Sequence, residues 1–307
     1  MSDMIWAQLM HIGYKMWLDA AAQRELEYIR DTEKLLFEQR TWDELLPILV
    51  DNGVNTVVMD LGEGVRYESH PEIALEGAWT TGDLKAELAK MRAMGLTPIP
   101  KMNFSACHDE WLGPYARMLS TDTYYGVVAD LIAEVCDLFD TPPLFHLGMD
   151  EETYGHQERF SYVVVRQHDL WWHDFLFYVE QVEKAGVRAW IWSDYIWHHR
   201  DEFICRMPKS VLQSNWYYGR EFNRGINYVE AYHQLEEAGF EQVPTGSNWS
   251  DPNNLEKTVR YCRDVISPER LKGFMQSIWK PTVDRRRERH IEGARELGFG
   301  RQAYEEG

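Results

Sequence analysis

The chain has 307 residues, 44% of them apolar and 27% charged, which is ordinary for a soluble globular protein and long enough to bury a large core. Its formal net charge is −18, so its surface repels nucleic acid and anionic membranes, and neither is an expected partner. Residues 285–287 are a short basic run, read as a solvated helix face beside Glu288.

Short apolar stretches alternate with amphipathic ones along the whole chain. Strand one is expected at 5–10, followed by a long connection that is partly helical over 24–37. Thr41-Trp42-Asp43-Glu44 reads as a capping box opening a helix into Asp51-Asn52-Gly53. Strand two is expected at 54–59, a helix at 83–94 stopped by Gly95, and strand three at 97–102. Next come a helix at 124–139, strand four at 144–147, a helix at 165–184 ending at Gly186, and strand five at 188–192. Strand six is expected at 211–216, a helix at 228–237, strand seven at 242–247, a helix at 255–265, strand eight at 273–278 and a last helix at 283–297. Eight strands alternating with helices at this length imply one closed parallel (β/α)₈ barrel, taken to span residues 1–307 as a single domain. No glycine-rich nucleotide fingerprint favours an open sheet.

The four cysteines are widely spaced, without metal-ligand spacing, and read as reduced thiols. The N-terminus lacks the basic and apolar regions of a signal peptide, and no stretch is long enough to span a membrane, so a cytoplasmic protein is expected. No cofactor is expected. His11, His146, His198 and His199 fall in no metal-binding motif, so no metal is expected either.

In such a barrel the chemistry lies at the C-terminal strand ends. Those ends carry His11 and Lys15; Asp60, Glu63 and Arg66; Asn103, Ser105 and His108; His146, Asp150, Glu151 and Glu152; Trp192, Asp194 and Trp197; Asn215, Trp216 and Tyr217; Asn248 and Trp249; and Gln276 and Trp279. Two features dominate. Adjacent carboxylates Asp150 and Glu151 end strand four, and tryptophans end strands five to eight, out of 13 in the chain. A sugar ring has an apolar C–H face and a rim of hydroxyls; flat aromatic walls cover the face, while carboxylates, amides and imidazoles bind the rim. A carbohydrate is therefore the expected partner. Neighbouring strand residues point to opposite faces, so both carboxylates enter one site only if the backbone turns at Asp150. The same alternation puts His146, Gly148 and Asp150 on one side.

Phe145-His146-Leu147-Gly148-Met149-Asp150-Glu151 resembles the His-x-Gly-Gly-Asp-Glu signature of glycoside hydrolase family 20, the β-N-acetylhexosaminidases, with Met149 in place of the second glycine. The likeness extends to Asp60, to Gly64 through Glu68 and to His70-Pro71-Glu72. It also takes in Gly77 through Thr80, Thr97 through Pro100, and Trp192-Ser193-Asp194. The resemblance implies substrate-assisted retaining hydrolysis, in which the sugar's 2-acetamido oxygen attacks the anomeric carbon. It assigns Glu151 as general acid and then base, and Asp150 as the group that orients the acetamido and balances the oxazolinium charge. His146, Asp60, Arg66, His108, Trp192, Asp194, Trp216, Tyr217, Trp249 and Trp279 become candidate substrate-binding residues. Exo action is expected from the crowding of tryptophans, and a homodimer from the missing accessory domain, whose absence leaves apolar surface to cover.

The chain departs from the pattern in several places. Strand one ends without the family's arginine; Pro100-Lys101 stands for Pro-Glu; Trp249 lies near the place of the strand-seven tyrosine, for which Tyr217 or Tyr218 are substitutes; and Lys280-Pro281 follow Trp279 where a glutamate is usual. Three alternatives stay open: a conventional retaining glycosidase with Asp194 or Glu63 as nucleophile, a non-catalytic carbohydrate-binding barrel, and a metal-dependent hydrolase.

Overall fold

The computed structural model describes residues 4–17, 34–158 and 160–306. Eight parallel strands form one sheet: β1 (Ile5–His11), β2 (Thr56–Asp60), β3 (Thr97–Lys101), β4 (Leu144–His146), β5 (Arg188–Trp192), β6 (Leu212–Ser214), β7 (Thr245–Ser247) and β8 (Gly273–Ser277). Their order is β6-β5-β4-β3-β2-β1-β8-β7. The two ends meet through parallel bridges Gln213↔Gln242 and Trp216↔Thr245, where the Val243 N–H donates to Gln213 O at 2.8 Å and the Thr245 N–H to Asn215 O at 3.0 Å. The sheet is thus a closed (β/α)₈ barrel. Most strands are buried on both faces, as a helix-wrapped parallel sheet requires.

Nine α-helices surround it among the described residues: α1 (Gln39–Asp51), α2 (Thr81–Ala93), α3 (Asp122–Leu138), α4 (Tyr154–Gln157), α5 (Asp169–Lys184), α6 (Ile196–Arg206), α7 (Asn227–Glu237), α8 (Asn254–Val265) and α9 (Arg287–Glu305). Ala7, Leu9, Val58, Ile99, Trp190, Trp192, Leu212 and Met275 fill the barrel interior. A larger apolar layer between sheet and helices includes Trp42, Leu88, Phe145, Trp172 and Leu255. No helix among the described residues is long and apolar enough to cross a membrane. All four cysteines are free thiols.

Most of the expected elements are present, with shifted ends. The capping box belongs to α2, where Thr80 and Asp83 cap each other, and not to α1. There Thr41 lies inside a helix that starts at Gln39, and its hydroxyl donates to Glu38. The helix expected from residue 165 starts at Asp169, because Arg166 leaves the helical path to reach buried acids. The last helix starts at Arg287, after a 3₁₀ turn over Asp284–Arg286, and runs on to Glu305. Most of the connection expected to be helical over 24–37 lies outside the described residues. A two-stranded ribbon (Val65–Arg66 with Trp79–Thr80) was not anticipated, and neither was α6.

Candidate active site

The β4 end is built by an unusual backbone. Gly148, Met149 and Glu151 all have positive φ (72°, 77° and 56°), so the chain coils tightly as soon as the strand stops. A Cβ on Gly148 would lie 2.1 Å from Asn103 Oδ1, so only glycine fits there. Met149 holds the same left-handed conformation with a side chain, which is uncommon outside glycine and costs about 1 kcal/mol. The turn brings both carboxylates into one cluster despite their adjacency in sequence.

Asn103, just beyond β3, organises the turn. Its Oδ1 accepts the N–H groups of Met149 and Ser105, each at 3.1 Å, and its Nδ2 donates to Asp150 Oδ1 at 2.7 Å. Ser105 Oγ donates to the Asp150 carbonyl at 2.6 Å, and the Glu151 N–H donates to Asp194 Oδ2 at 2.8 Å. The next residue, Glu152, is clamped by buried Arg166 at 2.6 and 2.8 Å. Arg166 in turn reaches Asp174, Tyr178 and the Phe104 carbonyl. Each of the three acidic residues is therefore fixed by a different element.

His108 Nε2 lies 3.4 Å from both Asp150 Oδ2 and Glu151 Oε2. Burial disfavours its charged form, but the two carboxylates outweigh that and lift it to about 9. Burial acts the opposite way on Asp150, yet His108 holds that carboxyl below its usual range. Glu151 is likewise held low against burial, by His108 and by His156 Nε2 at 3.4 Å. At neutral pH the cluster is thus two carboxylates around an imidazolium. Asp194 behaves differently: burial, then the Asp150 charge, push it up to about 7. Glu151 is the open member, its side chain 28% exposed against 6% for Asp150 and 2% for His108.

Aromatic rings surround these groups. Trp216 Nε1 donates to Asp194 Oδ1 at 3.1 Å, and Trp279 Nε1 donates to the Tyr218 hydroxyl at 2.9 Å. Trp279 also packs near Trp192 (6.0 Å between centroids) and Trp17 (6.1 Å), and Trp17 lies edge-on to His108. The Trp192 indole N–H is buried without a hydrogen-bond partner. Such a wall suits the C–H face of a sugar.

The remaining candidates fall elsewhere. His146 lies inside the barrel, where its Nδ1 accepts the Gly148 N–H at 3.0 Å; burial keeps it neutral, and it supports the turn from below. Asp60 is closed off in an ion pair with Lys101 at 2.6 Å. Tyr217 packs outward against Phe222 and Tyr228, so Tyr218 is the tyrosine whose hydroxyl joins the wall. Trp249 is 44% exposed with Lys280 Nζ 4.4 Å over its ring, and Arg66 is exposed on the short ribbon. Of the alternative nucleophiles, Asp194 has both oxygens engaged, by Glu151 N–H and Trp216. Glu63 binds the N–H groups of Tyr14 and Lys15, and burial raises it to about 7.

Several solved structures share the fold. A β-N-acetylhexosaminidase from Bacteroides fragilis superposes with a TM-score of 0.65 at 15% identity, over 96% of this chain and 65% of its own. A family 20 exo-β-N-acetylglucosaminidase from Vibrio harveyi gives 0.60 at 14%, over 94% of this chain and 54% of its own. The fold is that of the family 20 barrels. The chain spans about half to two thirds of the length of these two proteins. A family 138 enzyme targeting pectin rhamnogalacturonan II shares the fold at 0.59 and 11% identity, over 98% of this chain and 39% of its own. No family model matches the sequence, and no curated protein sequence is detectably similar.

Asn103, Ser105, His156, Arg166, Trp17 and Tyr218 were given no definite role from sequence. Asn103 and Ser105 stand at a strand end, which is a usable signal. Arg166 and Trp17 lie in irregular segments and His156 on the one-turn helix α4, none of which leaves a periodicity. His108, Asp150 and Glu151 also place ligand atoms within 4.8 Å of one another, close enough to hold a metal ion.

Proposed function

We propose that this chain is a glycoside hydrolase acting on β-linked N-acetylhexosaminides by substrate-assisted retaining hydrolysis. The observation that carries the reading is the strained β4 turn, which sets Asp150 and Glu151 on one buried histidine beside a tryptophan wall. Asp150, fixed by Asn103, orients the acetamido N–H and balances the charge as the acetamido oxygen attacks the anomeric carbon. Glu151, the partly open carboxyl, delivers a proton to the departing oxygen and afterwards takes one from the attacking water. Because Glu151 is ionised in the resting cluster, the proton it delivers comes from a neighbouring imidazole. Asp194 holds the Glu151 backbone in place through its N–H. Trp216 and Trp279 flank the ring and the acetamido methyl, backed by Trp192, which is buried in the barrel interior.

Aryl β-N-acetylglucosaminide and aryl β-N-acetylgalactosaminide are the first substrates to try, beside the aryl β-glucoside. Hydrolysis of at least one amino sugar is expected, with inhibition by a thiazoline that mimics the oxazoline. Asp150→Asn should lower kcat by about 10²-fold or more, in the range expected for a lost charge-stabilising group. Equal turnover of the β-glucoside, which has no acetamido, would contradict neighbouring-group attack and favour a covalent glycosyl-enzyme. Sugar binding with no turnover would leave a carbohydrate-binding barrel.

A further inference from the structure

Glu151 lies between two imidazoles that differ in access. His108 is 2% exposed and faces both carboxylates, so it has no open path to water. His156 stands on the other side, on α4, with Nε2 3.4 Å from Glu151 Oε2 and its side chain 41% exposed. Thr153 Oγ1 lies 2.8 Å from His156 Nδ1 and sets the ring's orientation. The Thr153 N–H donates to the Glu151 carbonyl at 2.7 Å, and the Gln157 N–H donates to the Thr153 carbonyl at 3.2 Å. The imidazole and the carboxyl it touches are thus tied into one short stretch of chain. An imidazole that meets a catalytic carboxyl on one edge and solvent elsewhere has the placement a proton relay requires.

We propose that His156 is a positioning and proton-relay residue that acts through Glu151, connecting it to bulk water. The inference rests on the assignment of Glu151 as acid and base made above. When the glycosidic C–O bond breaks, its electron pair goes to the departing oxygen, which takes the proton from the Glu151 carboxyl. In its protonated form His156 supplies that proton through Nε2 and is left neutral. In the second half the attacking water loses a proton to Glu151, which returns it to the neutral His156 and restores the resting state. No other reactant is consumed, and the net reaction is addition of water across the glycosidic bond.

The relay should matter in proportion to the proton demand of the leaving group. The test compares kcat/KM for the nitrophenyl β-N-acetylhexosaminide with that for a disaccharide of the same sugar, in wild type, His156→Ala and His156→Gln. Nitrophenolate departs almost without a proton, whereas a sugar alcohol does not. Removing His156 should lower kcat/KM on the disaccharide at least about tenfold more than on the nitrophenyl substrate, within the usual reach of acid–base assistance. His156→Gln keeps a hydrogen-bonding group beside Glu151 but cannot carry the proton, so it should resemble His156→Ala. Added imidazole should restore disaccharide turnover in His156→Ala. Equal losses on both substrates, full activity in His156→Gln, or no imidazole rescue would each reduce His156 to packing. Wild type that hydrolyses neither substrate would overturn the Glu151 assignment along with the relay, and is thereby distinct from failure of the relay alone.

Discussion

Two buried clusters of acid and base lie within the same barrel and behave in opposite ways. In one, His11, Asp60 and Lys101 stand side by side in register on β1, β2 and β3. Lys101 Nζ is 2.6 Å from Asp60 Oδ2, and His11 Nδ1 is 3.3 Å from the same oxygen. One carboxylate meets one permanent cation, so the charge is closed. Burial therefore wins at His11 and pulls it below its usual value, while Lys101 holds Asp60 low against burial. In the other, His108 meets two carboxylates, is driven up to about 9, and leaves Glu151 partly open to solvent. The residue types are nearly the same. The number of carboxylates per cation and the opening to water make one a closed lock and leave the other with a carboxyl facing solvent.

The comparison can be broken at three points. The largest effect is expected at the lock. Lys101→Met should destabilise the fold by about 3–5 kcal/mol, because it leaves Asp60 buried and uncompensated, and adding Asp60→Asn should recover most of the loss. Urea denaturation of the single and double variants measures both. A single variant that costs nothing would mean that Asp60 is not held by Lys101.

A smaller effect should come from pH at the reactive cluster. The folded His108 pKa of about 9 lies above the unfolded value of roughly 6.5. Its contribution is therefore complete below about pH 6.5 and is lost as pH rises through 9, amounting to at most about 3 kcal/mol. Urea midpoints for wild type should fall across that window, and His108→Asn should flatten the fall. A wild-type profile that is level from 6.5 to 9 would show that His108 is not held protonated. The smallest effect belongs to the turn itself. Met149→Gly relieves a left-handed residue worth about 1 kcal/mol but removes a buried side chain worth about 2–3 kcal/mol, so a net loss of about 1–2 kcal/mol is expected, read as a lowered denaturation midpoint.

The barrel was readable because its signal is periodic. Eight apolar stretches alternate with amphipathic ones, and the residues at their C-terminal ends supply most of the cluster. His108, Asp150, Glu151, Asp194 and Trp216 lie together beyond the strand ends. The functional assignment leaned on a short resemblance, and Met149 within it also marks the strain: the chain keeps the left-handed turn without the glycine. What sequence could not place came from loops and from depth. Asp60 and Tyr217 directly follow the expected strands, but the depth of a residue within a barrel is set by strand register, which no pattern of single residues encodes. His156 sits on a helix of one turn, too short to leave a period, and Arg166 acts from an irregular segment by burying its charge on Glu152 and Asp174.

The central claim is that Glu151 supplies the proton. Release of aryl alcohol from an aryl β-N-acetylhexosaminide of poor leaving-group ability, by wild type and Glu151→Gln, tests it most directly. The account predicts turnover by wild type and a loss of about 10³-fold in kcat for the variant, within the range for a removed general acid. Circular dichroism should show the variant folded. Wild-type turnover that survives Glu151→Gln would contradict the account.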